Sequence, residues 1–475
     1  MFNIIIKMKI FLIIILFINS FCSYSQDSLK SYIHQAVINN PLVQSKYNEY
    51  AASLEKVPQV GALPDPQLTL GYFLQPMEQL GGNQRADIKL MQMFPWFGTL
   101  KASKDEASKM AQANYEQFSQ TSLEVVYNVK KEWYDLYRLN KEMKLTQENL
   151  ELTRSLEQIA LVRFQVSSGG SAVASGNSGS MGSGNPASRS TGGMGGGMQN
   201  GNTKPQPASG GNSAQAAMNS SSGSGNLADL LRVQMDIREL ENKLALLKDQ
   251  QATQIVRFNS LLNRAKELLV FVPDTLTRGS LALDPSTLSD SITRNNPMVK
   301  MLESEEASYV AKKQMVTKMG YPMLGIGVDY ALIDARPGNT SMMNGKDMIM
   351  PMVNISLPIY RKKYKSMIKE AELGRMAASQ ASQNARNDLY VQYKETLASY
   401  NDAERRIELY NGQADLAHRT LDLLITGLAT GSRTYDEVLR MQQQLLDYRF
   451  KLIESVVDQN SAVAGLESLM GKAEQ

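Results

Sequence analysis

A chain of 475 residues with a formal net charge of +3 and a single cysteine rules out several classes at the start. Loss of a leader containing Lys7 and Lys9 leaves about +1, far short of the basic excess that nucleic-acid binding requires. Cys22 lies in the same leader, so no disulfide framework is available and packing must hold the fold.

Residues 1–25 read as an export signal. Two lysines precede the apolar run IFLIIILFI, and Ser23 and Ser25 supply small residues at a cleavage site. Bulky Phe21 before Cys22 argues against lipidation. That run is too short to span a bilayer comfortably, and no later run is long and apolar enough for a transmembrane helix. An exported chain of this kind is periplasmic, secreted or an outer-membrane β-barrel.

An internal repeat organises the rest. Asn39-Asn40-Pro41 returns as Asn295-Asn296-Pro297, 256 positions on. Pro66 and Pro322 keep that spacing, and Leu68, Leu70 and Gly71 match Leu324, Ile326 and Gly327. Pro95 then meets Pro358, Tyr127 and Tyr137 meet Tyr390 and Tyr400, and Leu230 of LLRVQ meets Val438 of VLRMQ. The chain reads as a tandem duplication over 26–286 and 287–475, the first repeat carrying about 56 extra residues near its middle.

Both repeats predict the same elements in the same order. Asn-Pro starts a helix, because Asn caps well, Pro suits the first helical position, and the residue before Pro leaves the α region. Alternating strands are expected at 66–75 and 84–94, and again at 322–333 and 348–358. Leu68, Leu70, Tyr72 and Leu74 share one side, as do Leu324, Ile326, Val328 and Tyr330. Strands of this length with one apolar and one polar face suit a transmembrane barrel. The polar segments QPMEQLGGNQ and IDARPGNTSMMNGKD read as loops joining each pair.

Long helices follow at 98–167, 227–264, 360–428 and 433–471. No proline or glycine lies between Gly98 and Ser168, and at 1.5 Å per residue such a helix spans roughly 100 Å. Ile407, Tyr410, Ala414, Ala417, Leu421, Leu424 and Leu428 recur at alternating steps of three and four, as in a coiled coil. The helix at 98–167 carries a second apolar line, which asks for neighbours on both sides. Residues 168–226 interrupt the first hairpin. Gly and Ser make up about half of this insertion, so it has no means to bury a core and is expected to be disordered.

Catalytic chemistry is absent from the pattern. The two histidines, His34 and His418, stand in no triad order, and no phosphate loop or zinc spacing occurs. The reading is of a protein that is not an enzyme and needs no cofactor.

A leader, two strand pairs and two helical hairpins too long for a globule resemble the TolC outer-membrane efflux family across nearly the whole mature chain. The stretch GLATGSRTYDEVL, Gly427 to Leu439, is similar to the family's helix-turn-helix at the periplasmic tip. Its partner is RFQVSSG followed, after the insertion, by NLADLLRVQ. The resemblance implies a mainly α fold with a small transmembrane β part. Four β-strands per chain would contribute to a twelve-stranded outer-membrane β-barrel in a homotrimer, and the α-helical hairpins would form an α-barrel across the periplasm. An open four-stranded sheet in lipid would leave bare edges, so physics asks for the same closure.

The resemblance further implies the outer membrane of a Gram-negative bacterium and contact with its lipid. Its implied partners are a periplasmic adaptor (membrane fusion protein) and an inner-membrane pump of the RND type. The chain would be a passive exit duct of such a tripartite system. YFLQPMEQL and QMFPWFGTLK are similar to the heavy-metal branch typified by CusC and CzcC, which implies export of Cu/Ag or Zn/Co/Cd. The alternative cargo is drugs, or protein in type I secretion. A reading of another class is a structural coiled-coil surface protein, which leaves the two strand pairs unexplained.

Resemblance places Val166, Ser167, Gly427, Gly431, Ser432, Arg433 and Thr434 at the periplasmic tip, where they would gate the tunnel and dock the adaptor. Asp229 and Glu437 are equivalent between the repeats, and in a trimer would ring the entrance with carboxylates that favour cations and pair with Arg433. Acids at a helix start also simply stabilise its first turn. Arg440 stands where the family's type member has a second acid. Phe94, Trp96, Phe97 and Tyr360 read as an aromatic girdle at the membrane interface, or as a packed strand-to-helix joint broken by Pro95 and Gly98. Met181, Met194, Met198 and Met218 are the only metal candidates, since thioether sulfur suits Cu(I) and Ag(I). Spaced methionines in a low-complexity linker make a poor preformed site, so no metal site is assigned.

Overall fold

The computed structural model describes residues 29–169, 222–281, 285–338, 340, 342–430 and 432–471. The first repeat supplies α1 (Leu29–Asn39), α2 (Pro41–Gly61), β1 (Gln67–Gln79), β2 (Gly82–Phe94), α3 (Thr99–Gly169) and α4 (Ser222–Leu261). The second supplies α5 (Pro285–Asn295), α6 (Pro297–Met319), β3 (Met323–Asp334), β4 (Met348–Ser356), α7 (Arg361–Ala429) and α8 (Tyr435–Leu469).

The repeated asparagine does two jobs at once. Asn40 Oδ1 accepts from the backbone N–H of Leu42 at 2.9 Å and caps α2. Its Nδ2 donates to the carbonyl of Leu261, the last residue of α4, at 2.8 Å. Asn296 caps α6 through Met298 at 2.9 Å and donates to the carbonyl of Leu469, the last residue of α8, at 3.0 Å. Helix starts lack acceptors and helix ends lack donors. One buried amide supplies both, which an ionised Asp at the same place cannot.

The four strands form one antiparallel sheet in the order β1-β2-β3-β4, so the two repeats meet at the β2–β3 pair. Two expectations change here. QPMEQLGGNQ is not an extended loop: β1 continues to Gln79, and only Leu80 and Gly81 form the turn. The pairing register shifts between Tyr72 and Met77 to permit it, because a hairpin that keeps pairing leaves fewer backbone groups bare than a loop does. The insertion expected from 168 is entered later, since α3 persists to Gly169, and α4 begins at Ser222 instead of 227. The residues between, 170–221, lie outside the described part, and so does the expectation of disorder made for them.

Two compact units cut across the repeat boundary. One draws on residues up to Asn140, on Gln250–Asn411 and on the chain from Lys451; the other on Lys141–Asp249 and Gly412–Phe450. The first unit holds two equivalent cores. In one, Tyr32 packs edge-on against Phe258 at 5.1 Å beside Val129 and Leu136. In the other, Leu466 lies among Leu288, Ile292, Val299 and Tyr393. Phe258 and Leu466 are repeat equivalents, and both are fully buried. Each such side chain contributes roughly 2–3 kcal/mol by leaving water. The matched tyrosines both bond the backbone of the segment after α4, in opposite roles: the Tyr137 hydroxyl accepts from the N–H of Leu276, and that of Tyr400 donates to the carbonyl of Gly279.

The second unit is built on the heptad seam. Ala417, Leu421 and Leu428 of α7 pack with Val438, Leu439 and Leu445 of α8, Leu230, Val233 and Ile237 of α4, and Leu150 and Leu156 of α3. Knobs at three- and four-residue steps keep one stripe of each helix inward, so four helices share a core without a globular centre.

Candidate functional site

Strand register separates the sheet into two chemically distinct faces. Leu68, Leu90 and Val328 lie opposite one another, followed by Leu70, Ile88, Tyr330 and Ile349. This face is apolar yet bare in the single chain, with Leu70 69% and Val353 72% exposed. A patch of this size on a soluble monomer is unusual and marks a surface meant for lipid or a partner. The opposite face carries Thr69, Lys89 and Asp329 in one row, and Gly71, Asp87 and Ala331 in the next. Lys89 Nζ sits 3.0 Å from Asp87 and 3.6 Å from Asp329, so the charges on this face are paired within the sheet.

Aromatic residues gather where the strands meet the helices. Trp96 stacks on Tyr321 with ring centroids 5.3 Å apart and meets Phe97 edge-on. Phe97 and Tyr360 are exposed, and Phe94 ends β2 opposite Leu324 at the same end of the sheet. Trp96 serves the joint, turned by Gly98 at φ +79 with its carbonyl held by Lys318, while Phe97 and Tyr360 face outward.

At the α7–α8 turn, Gly427 is the pivot. Its carbonyl accepts from the Ser432 N–H at 3.0 Å, from Ser432 Oγ at 3.1 Å and from Thr430 Oγ1 at 3.0 Å. A Cβ on Gly427 would stand 2.6 Å from Arg433 Cγ, so the exposed Arg433 side chain would have to swing aside to admit one. Thr434 is exposed just before α8. Gly431 lies outside the described residues. Val166 and Ser167 are helical residues of α3 whose side chains are likewise outside them.

The acidic pair does not share a partner. Arg433 lies 3.7 Å from Glu437, whereas Asp229 is grouped with Arg232 and Asp436. Burial raises the pKa of Asp229; Arg232 opposes that rise and Asp436 adds to it. The residue that gathers charge is Asp436, which accepts from Arg232 at 2.5 Å and Arg440 at 2.7 Å. Neither Arg232 nor Asp436 stood out in the sequence, because their contact joins residues 204 positions apart. Arg440, marked only as a departure from the family, proves to be one of the two cations on Asp436.

Tyr435 was missed as well. Its ring is buried and its hydroxyl has no partner. Burial first, and then the carboxylates of Asp236, Glu157 and Asp229, push its phenol far above the ordinary value, so it stays neutral. Among the described residues, no group of three or more His, Cys, Asp and Glu side chains is placed to hold a metal. Met181, Met194, Met198 and Met218 lie outside those residues.

Comparison with known proteins bears on this geometry. Residues 288–472 match the family described as Outer membrane efflux protein. No curated protein matches the chain. Among solved structures, the outer-membrane channel OprN superposes with a TM-score of 0.67 at 13% identity, over 93% of this chain and 89% of its own. The outer membrane protein VceC of Vibrio cholerae gives 0.68 at 13% identity, over 94% and 97%. CusC gives 0.67 at 14% identity, over 95% and 93%. The fold is that of the outer-membrane channels. Within that fold the expectation of a heavy-metal branch loses its support. CusC resembles this chain no more closely than OprN and VceC do, so YFLQPMEQL and QMFPWFGTLK do not single out a metal exporter.

Proposed function

We propose that this chain is the exit duct of a tripartite efflux system in the outer membrane of a Gram-negative bacterium, and that its cargo is general and not a metal ion. The carrying observation is the two-faced sheet. Its apolar rows run unbroken across strands of both repeats, and its outer strands, β1 and β4, each have one unpaired edge. Three copies joined edge to edge would turn the apolar rows toward lipid and enclose Lys89, Asp87 and Asp329 in a polar lumen. The helices α3, α4, α7 and α8 would continue that lumen across the periplasm. A periplasmic adaptor and an inner-membrane pump, of RND type in this reading, would dock near the α7–α8 turn and supply the energy. The duct itself performs no chemistry: the turn region parts, and solute passes.

General export is preferred because the charges of the sheet are paired within it, and among the described residues no group of three or more His, Cys, Asp and Glu side chains is placed to hold a metal. A deletion strain tests this, with and without the complementing gene. Hypersensitivity to unrelated dyes, detergents and antibiotics, with an outer-membrane trimer recovered only in detergent, is the expected result. Sensitivity confined to copper, silver, zinc or cobalt overturns the cargo reading. A buffer-soluble rod overturns the duct and returns the coiled-coil surface protein.

A further inference from the structure

A cavity of about 440 Å³ lies between α3, α7 and α8, wholly inside the first compact unit. Glu395, Thr396, Ala462 and Gly465 line it, together with Tyr127 of α3. In the frame that matches Tyr127 with Tyr390 and Phe258 with Leu466, those four residues are the repeat equivalents of Glu132, Trp133, Gln254 and Arg257. The second repeat keeps the acid and cuts back the three side chains that accompany it in the first.

The first repeat fills this place from its own chain. Trp133 is buried, and its indole N–H donates to the carbonyl of Phe271 at 3.3 Å. Gln254, also buried, donates its amide to the Glu132 carboxylate. Burial raises the pKa of Glu132 and Asp135 adds to the rise, while Arg257, the Gln254 amide and Lys131 oppose it. An indole, an amide and a guanidinium thus attend this acid.

In the second repeat nothing takes their place. Glu395 is exposed to water, and its carboxylate has neither an ion pair nor a hydrogen bond among the described residues. The remaining charges of the cavity are matched. Arg406 is shared by Asp402 at 2.9 Å and Asp458 at 2.7 Å, with Glu454 acting on it as well, and Arg405 adds a bond to Asp402 at 3.1 Å. Gly465 marks where the missing group would stand. A Cβ there would lie 3.2 Å from Thr396 Cγ2 and 3.7 Å from Tyr127 Cε2, so a side chain at this position would grow into the cavity. A carboxylate beside an aromatic ring is the ordinary complement of a guanidinium, which bonds the one and stacks on the other.

We infer that this cavity binds a guanidinium group carried by a ligand, in the place that Arg257 fills in the first repeat. The guanidinium pairs with Glu395 against Tyr127, and the chain that bears it occupies the space left by Thr396, Ala462 and Gly465.

The test uses the full chain purified in detergent, titrated calorimetrically with Nα-benzoylarginine amide at neutral pH and constant ionic strength. Saturable binding is expected, and the neutral citrulline analogue should not bind. Glu395→Gln, a change at an exposed residue, should weaken binding at least tenfold. Gly465→Arg puts the first repeat's own residue into the cavity and should abolish it. A helical peptide with one exposed arginine separates the two sources of this group. Tighter binding of the peptide assigns the site to a protein partner, tighter binding of the free amide to a solute, and either upholds the site. Absence of saturable binding, equal binding of the citrulline analogue, or native affinity in Glu395→Gln or Gly465→Arg overturns it. Those results leave the export reading standing, because that reading rests on the sheet.

Discussion

Asn40 and Asn296 show how much one side chain can carry. Each is buried, each caps a helix, and each holds the last carbonyl of a long helix. Asn40→Ala removes a cap worth about 1 kcal/mol and strands a carbonyl at a cost of about 1–2 kcal/mol more. A total loss of about 2–3 kcal/mol is expected, read as a lower unfolding midpoint. Asn40→Ser keeps the cap acceptor and loses only the tie, so about half of that loss should remain. Equal losses for Ser and Ala would show that the tie to Leu261 carries the whole effect.

Asp236 gives a pH prediction at the same scale. Burial lifts its folded-state pKa above the ordinary 3.8. The folded chain therefore holds this proton more tightly than the unfolded chain does. Stability is lost as pH rises from 3.8 through the raised value, and the penalty is complete above it. Asp236→Asn removes the penalty. The variant should melt higher than the native chain near neutral pH and show no advantage below 3.8. A gain of equal size at both pH values would remove ionisation as its cause.

At the scale of elements, the sheet depends on close approach as well as alternation. A Cβ on Gly327 would lie 2.8 Å from the Leu90 carbonyl oxygen of the neighbouring strand. That oxygen is backbone, so the strand must shift to make room. Gly327→Val is expected to disrupt the β2–β3 pair, where the repeats join, and to abolish the trimer proposed above. Gly338, with nothing within 4 Å of the same position, is the matched control, although its own φ of +86 restricts it to Gly→Asn. An intact oligomer in Gly327→Val would mean that the sheet tolerates a local separation there. The long helices rely on a different principle. Their apolar stripes are sustained over many turns, so single surface changes matter little beside the shared seam of Leu421, Val438 and Val233.

At the scale of the whole molecule, the two faces of the sheet make opposite predictions for one substitution. Leu70→Lys places a charge among the apolar rows, which in a bilayer costs about 2–4 kcal/mol at mid-depth. Thr69→Lys places the same charge one residue away, in the row that already holds Lys89 and Asp329. Membrane recovery of the proposed trimer should fall sharply for Leu70→Lys and stay near native for Thr69→Lys. Equal recovery would end the assignment of that face to lipid.

Sequence alone determined the features that repeat or alternate. The duplicated Asn-Asn-Pro, the alternating strands and the heptads of α7 are local patterns, written at fixed spacings that burial and backbone geometry impose. They carried the resemblance through which the outer-membrane channel fold was reached. Only the tertiary structure decided which side chains meet. Lys89 between two aspartates depends on register, and Asp436 between Arg232 and Arg440 on a contact 204 positions long. The same holds for the end of β1, which ran past its expected loop. Such contacts leave no period in the chain, because their energy comes from neighbours that folding alone brings within reach.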